Sequence, residues 1–126
     1  MSAAVTVDEL VTLASAVCDG RHPVPGMSRT RAACLIARQA LGQIVDALLA
    51  RKLLACPEAS MRARLICLGQ AYADDPRHIG YRADTAWRRL SVACHHHAYE
   101  LSPASGEARA LIDDVRWLAE QGTESV

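Results

Sequence analysis

The amino-acid sequence predicts an all-α fold, an antiparallel four-to-five-helix bundle, and three observations lead there. Apolar residues recur at helical spacing in five segments, and no segment alternates apolar and polar residues as a half-buried strand does. The core must also be built largely without rings: Phe is absent, and aromatic residues make up 4% of a chain that is 51% hydrophobic. Leu, Ala, Val and Ile are left to fill it, and Ala and Leu are among the strongest helix formers. At 126 residues the chain suits one domain, 1–126, with 1–6 and 122–126 as frayed tails.

The elements follow in order. A first helix is predicted over 8–18, with Asp8 as N-cap, Leu10, Leu13, Ala14 and Val17 as its stripe, and Asp19-Gly20 as its stop. After the Pro- and Gly-rich segment 21–27, Ser28 caps a long second helix reaching residue 54. Its stripe is Ala37, Leu41, Ile44, Val45, Leu48 and Leu49. Gln39, Gln43 and Asp46 share another of its faces, either solvated or turned toward the fourth helix. Cys56-Pro57 ends this element and opens a third helix over 58–73. Asp74-Asp75-Pro76 makes a turn, with loop through residue 81, before a fourth helix over 83–101. Ser102-Pro103 then starts a fifth, with Ala108, Leu111, Ile112, Val115 and Leu118 as its stripe, ending at residue 121.

Formal net charge is zero, which excludes a fold-wide basic field for gripping nucleic acid and leaves room for a local basic face. Lys52 is the only lysine among the 14 basic residues, and arginine suits phosphate recognition through its planar fork. The five cysteines, Cys18, Cys34, Cys56, Cys67 and Cys94, are odd in number and form no C-x-x-C pair. That pattern predicts reduced, mostly buried thiols and a cytoplasmic protein. The N-terminus has no basic leader segment, and no apolar run approaches the roughly 20 residues of a membrane span, so no membrane association is expected.

The chemistry concentrates in AWRRLSVACHHHAYEL, residues 86–101, on the predicted fourth helix. At about 100° per residue, Trp87, Leu90, Cys94, Ala98 and Leu101 form the apolar stripe. Arg88, His95 and Tyr99 share one polar flank, Arg89, His96 and Glu100 the face opposite the core, and His97 the edge of the stripe. Each Arg–His pair is separated by seven positions, about 10 Å along the axis. Imidazole moves protons near neutral pH and guanidinium stabilises charge developing on a phosphate, so this pairing suits phosphodiester chemistry. A solvated polar face has the same pattern. Tyr99, four residues after His95, is a candidate to orient that ring or a packing residue with a wet hydroxyl. A metal site competes for the same residues, with Cys94 and His97 three apart and His78 or His22 as outside ligands. Cys94 lies on the apolar stripe, however, and no carboxylate-x-x-His pair accompanies it, so a buried thiol is the simpler reading. Neither metal nor cofactor is therefore expected.

The second helix, ACLIARQALGQIVDALLARK, resembles the helix typical of HEPN domains, which commonly reads small-Gln-Gln-Ala-x-Glu followed by apolar residues and a basic end. Here Ala37-Arg38-Gln39-Ala40-Leu41 stands in that place, with Arg38 for the first Gln and Gly42 where an acidic residue is common. The length, the bundle and a late polar motif are also similar. Many HEPN domains carry an Arg, four to six residues, then a His on a late helix. Arg89 and His95 match with five between them, and Arg88 with His95 or Arg89 with His96 with six. The resemblance implies a metal-independent endoribonuclease acting on RNA as a homodimer, often a toxin held by a nucleotidyltransferase-like antitoxin. Its catalytic residues would be Arg88 or Arg89 with His95 or His96. Some HEPN domains only bind, so a non-enzymatic interaction or nucleotide-binding module is the alternative.

Overall fold

A computed structural model describes residues 5–95 and 101–123. Among them are five helices and no strand, in agreement with the all-α prediction. They are α1 (Val7–Cys18), α2 (Arg29–Arg51), α3 (Met61–Ala71), α4 (Ile79–Cys94) and α5 (Ser105–Thr123).

Hydroxyl caps start the first three helices. The side chains of Thr6, Ser28 and Ser60 accept hydrogen bonds from the backbone N–H groups of Glu9, Arg31 and Ala63. The predicted first cap, Asp8, lies inside the helix, where its charge complements the positive end of the dipole. Two helices stop in the same way. Gly20 (φ 78°) follows α1, with the Gly20 N–H donating to Val17 and the Arg21 N–H to Ala16. After α2 the same pair of bonds forms from Leu53 to Ala50 and from Leu54 to Leu49. A Leu at φ 60°, its side chain 93% exposed, here occupies the left-handed position that glycine usually takes.

Helix α2 is the hub and packs against each of the other four. Cys34, Ala37, Ala40, Leu41, Val45, Leu48 and Leu49 are buried along it, spread around much of its circumference. Leu10, Ala14 and Val17 of α1, Ala83, Ala86 and Leu90 of α4, and Ala108, Leu111 and Val115 of α5 close the core around it. The many alanines bring the axes close together, which compensates for the missing rings. By length and composition α2 is apolar enough to cross a bilayer, which corrects the expectation that no run is that long. In this fold 56% of that stretch is buried within the protein. Asp46 pairs with Arg64 of α3 at 2.8 Å, so the face it shares with Gln39 and Gln43 meets α3 at that point, and Gln39 is exposed. At the other end of α3, the buried Tyr72 hydroxyl donates to the Leu48 carbonyl at 2.8 Å.

The other predicted helix limits move for identifiable reasons. Helix α3 begins at Met61 because Ser60 supplies a side-chain cap, whereas Pro57 sits in a turn closed by the Ala59 N–H on Cys56. Helix α4 begins four residues before the predicted start, on His78 in the left-handed conformation (φ 55°). This early start lets Gly80 lie against Gly69 of α3. Helix α4 also ends at Cys94, where the sequence predicted helix to 101, and α5 starts at Ser105 and continues through Thr123.

Two outcomes test this packing. A methyl group on Gly80 would lie 2.6 Å from the Gly69 Cα, a contact backbone cannot relieve cheaply, while one on Gly69 meets nothing within 4 Å. Gly80→Ala is therefore expected to lower stability by about 1–3 kcal/mol. Gly69→Ala should raise it by about 0.4–1 kcal/mol in the same urea titration. In the turn before α4, Arg77 donates to both carboxylate oxygens of Asp75 (3.0 and 2.8 Å). Its backbone N–H adds a third bond at 2.8 Å. Together these bonds hold the Asp75 carboxyl at about 2, below its ordinary 3.8. A depressed carboxylate contributes stability that is present above the unfolded value and lost as pH falls through the folded one. Asp75→Asn should thus flatten the stability curve between about pH 4 and 2, and an unchanged slope there would assign the acid limb to other groups.

Candidate functional site

The end of α4 gathers more unusual chemistry than any other part of the described chain, and α2 arranges it. His95 follows the last helical residue in extended conformation (φ −65°, ψ 120°), its N–H donating to the Val92 carbonyl. Had the helix continued, the His95 carbonyl would serve the N–H four residues on. It accepts instead from the Arg31 guanidinium, in the first turn of α2. That contact accompanies the end of α4 at Cys94, short of the limit that helical periodicity predicts.

Arg31 is 6% exposed and makes no ion pair with a described carboxylate. A buried cation ordinarily has an anionic partner, because desolvating it is costly. Arg31, Ala93, His95, Ser102 and Glu107 line a hollow of about 250 Å³, with Glu107 beyond ion-pair distance of the guanidinium. Underneath lie three thiols. Burial, and then the neighbouring Cys94 and Cys18 thiols, push Cys34 up to about 12. Burial also raises Cys94, against the nearby Arg38 and Arg31. Both therefore remain protonated at neutral pH and are poor nucleophiles. Arg38 ties α2 to α4 one turn earlier, its Nε donating to the Ser91 hydroxyl at 3.1 Å and its guanidinium lying 4.1 Å over the Trp87 ring. Trp87 is accordingly half-buried at the margin of the core.

The sequence-derived candidates separate in space. Arg88 is exposed and ion-paired with Asp84 one turn back, at 3.1 Å. Arg89 points into a different hollow, between α4 and α5. His95 sits past the helix end beside Arg31, so the helical alignment of Arg88 with His95 does not form. His96 and Tyr99 lie outside the described residues, as does His97 of the metal reading. His78 and Cys94 bracket the 16 residues of α4, about 24 Å apart along the axis. His78 therefore cannot join Cys94 around one ion. Among the described residues no three His, Cys, Asp or Glu side chains converge as ion ligands.

Arg31 escaped the sequence reading, although a signal for it exists. The first turn of α2 holds no acidic residue and carries Arg29 and Arg31, both opposed to the helix dipole. An arginine in that place calls for a partner elsewhere in the fold. Comparison with protein-family models, curated proteins and solved structures finds no match for the chain.

The Arg31–His95 contact has a measurable weight. Arg31→Met keeps the length of the side chain and removes a charge-assisted hydrogen bond worth about 1.5–3 kcal/mol. The denaturation midpoint should fall accordingly with an unchanged slope. A midpoint equal to that of the wild type would leave the end of α4 held by other contacts.

Proposed function

We propose that this chain is a HEPN-like, metal-independent endoribonuclease of the cytoplasm, with its catalytic end at the tip of α4. One observation carries the reading: a guanidinium nine-tenths buried, without a described carboxylate partner, is held against the backbone of the first residue of the histidine run. A phosphate entering the hollow would supply the anion Arg31 lacks. Arg31 then takes over much of the role that the HEPN resemblance implies for Arg88 or Arg89.

The chemistry needs a proton carrier and a charge stabiliser. A ribose 2′-oxygen forms a bond to phosphorus while the bond to the 5′-oxygen breaks. The His95 imidazole accepts the proton of the 2′-hydroxyl, and water returns one to the leaving oxygen. Arg31 stabilises the charge that accumulates on the non-bridging oxygens. His96 is the neighbouring candidate for the proton-transfer role, with Tyr99 to orient a ring. A homodimer would bring two such ends together, and a nucleotidyltransferase-like antitoxin would fit a toxin role.

A specific observation also favours a second reading. Arg89 and His95 line different hollows, which suits a module that binds nucleotide or RNA without cutting it. One assay separates the two. Purified protein is incubated with single-stranded RNA in excess chelator, alongside His95→Ala and Arg31→Met. Cleavage by the wild type, reduced about 100-fold or more in His95→Ala, supports the nuclease. RNA retained intact by every form supports the binding module, and equal cleavage by all three removes His95 and Arg31 from the mechanism.

A further inference from the structure

A larger hollow lies on the same faces of α4 and α5 as the tip hollow. On α4, Arg82, Thr85, Ala86 and Arg89 line a cavity of about 380 Å³. Val92 and Ala93, three and four positions beyond Arg89, line the tip hollow. On α5, Trp117, Asp114 and Asp113 face the first hollow, and Glu107, seven positions before Asp114, faces the second. These spacings keep each set on one helix face. The two hollows are therefore successive stretches of a single seam between antiparallel helices, and Arg89 precedes His95 by about 9 Å along the axis.

The seam carries the marks of a ligand site. The Arg82 guanidinium sits over Trp117, 4.0 Å from the ring centroid, and Arg82 is itself exposed, so its outer side is open to another planar group. Tyr81 stands beside it with its ring 71% exposed. Arg89 and Asp114 have no partner among the described residues, whereas Asp113 is engaged by Arg116 at 2.9 Å. The Thr85 hydroxyl is buried against the seam without a hydrogen-bond partner among the described residues. Buried polar atoms left unsatisfied are uncommon, and a ligand at the site is one way to satisfy them.

We infer that the α4–α5 seam is a nucleotide site, with the base on the Arg82–Trp117 stack, the phosphate on Arg89 and a base or ribose N–H or O–H on Asp114. Bases stack on aromatic rings and on guanidinium planes alike, and a single carboxylate selects a neutral donor-bearing edge. This deepens the ribonuclease reading, on which its role as the holder of the nucleotide beside the cut rests. The same chemistry would serve a free nucleotide.

Calorimetry with two probes tests the assignment: adenosine 5′-monophosphate, and a 2′-O-methyl oligonucleotide, which lacks the attacking hydroxyl and cannot be cut by this route. Binding of either by the full chain is expected, weakened about tenfold or more in Arg89→Ala and in Trp117→Leu. Arg62→Ala, on the exposed side of α3, should bind as the wild type does. Arg89 is exposed and has no partner among the described residues, so its substitution is expected to leave the fold intact even if Trp117→Leu does not. Binding of the monophosphate assigns the site to a free nucleotide, and binding of the strand alone assigns it to RNA. Failure of both probes to bind, or equal binding by Arg89→Ala, overturns the inference. The two proposals fail separately. A strand bound through Arg89 but never cut ends the nuclease and leaves the seam, while His95-dependent cutting that ignores Arg89 does the reverse.

Discussion

Burying α2 on most of its circumference is the constraint from which the other helices take their positions. A 23-residue helix with Cys34, Leu41, Val45, Leu48 and Leu49 turned in several directions cannot leave a broad face in water. Four partners are needed to cover it, and the alanines of α1, α4 and α5 let them approach without large rings between them. The same helix also carries two of the candidate site's arginines. Arg31 and Arg38 emerge where α2 meets α4, so the helix that organises the core also presents guanidinium groups to the histidine end.

Neutral net charge conceals an uneven use of arginine. Arg21 and Arg109 hold Asp19, Arg64 holds Asp46, Arg77 holds Asp75, and Arg51 reaches the last carbonyls of α5. These contacts stitch helix ends together at the surface, where each pair is worth little alone. Arg31, Arg82 and Arg89, like Arg29, Arg38 and Arg62, are not paired with a described carboxylate, and these three line the α4–α5 seam or its tip. Three guanidinium groups without a described carboxylate partner thus line neighbouring hollows of a molecule with no overall charge, and under the proposed function that is where a phosphate would be drawn.

How much was legible in the sequence depends on the range of the interaction involved. The stripes of α1, α2 and α5 and the caps at Ser28 and Gly20 are local, and the sequence shows them directly. The end of α4 is not local. Periodicity through residues 86–101 favours a continuing helix, and the group that contacts its end sits 64 positions away on α2. Likewise, the left-handed His78 and Leu53 follow from close packing and helix termination, which composition does not encode. The candidate site divides in the same way. The histidine run and the arginines before it stand out as residues, but their partition between two hollows needs the register of α5 against α4. Arg31 was detectable only as a charge on the wrong end of a helix.

The attachment of His95 to Arg31 also links two timescales of motion. Helix ends ordinarily fray, so their amide hydrogens exchange with solvent far faster than those of the core. The last turn of α4 is fastened by a side chain rooted in the most deeply buried helix of the protein. Its opening is expected to require release of the Arg31 contact, so the amides of Leu90 to Cys94 should exchange more slowly than those of an untethered helix end. One side-chain contact thus ties an otherwise ordinary helix terminus to α2, and with it one wall of the hollow.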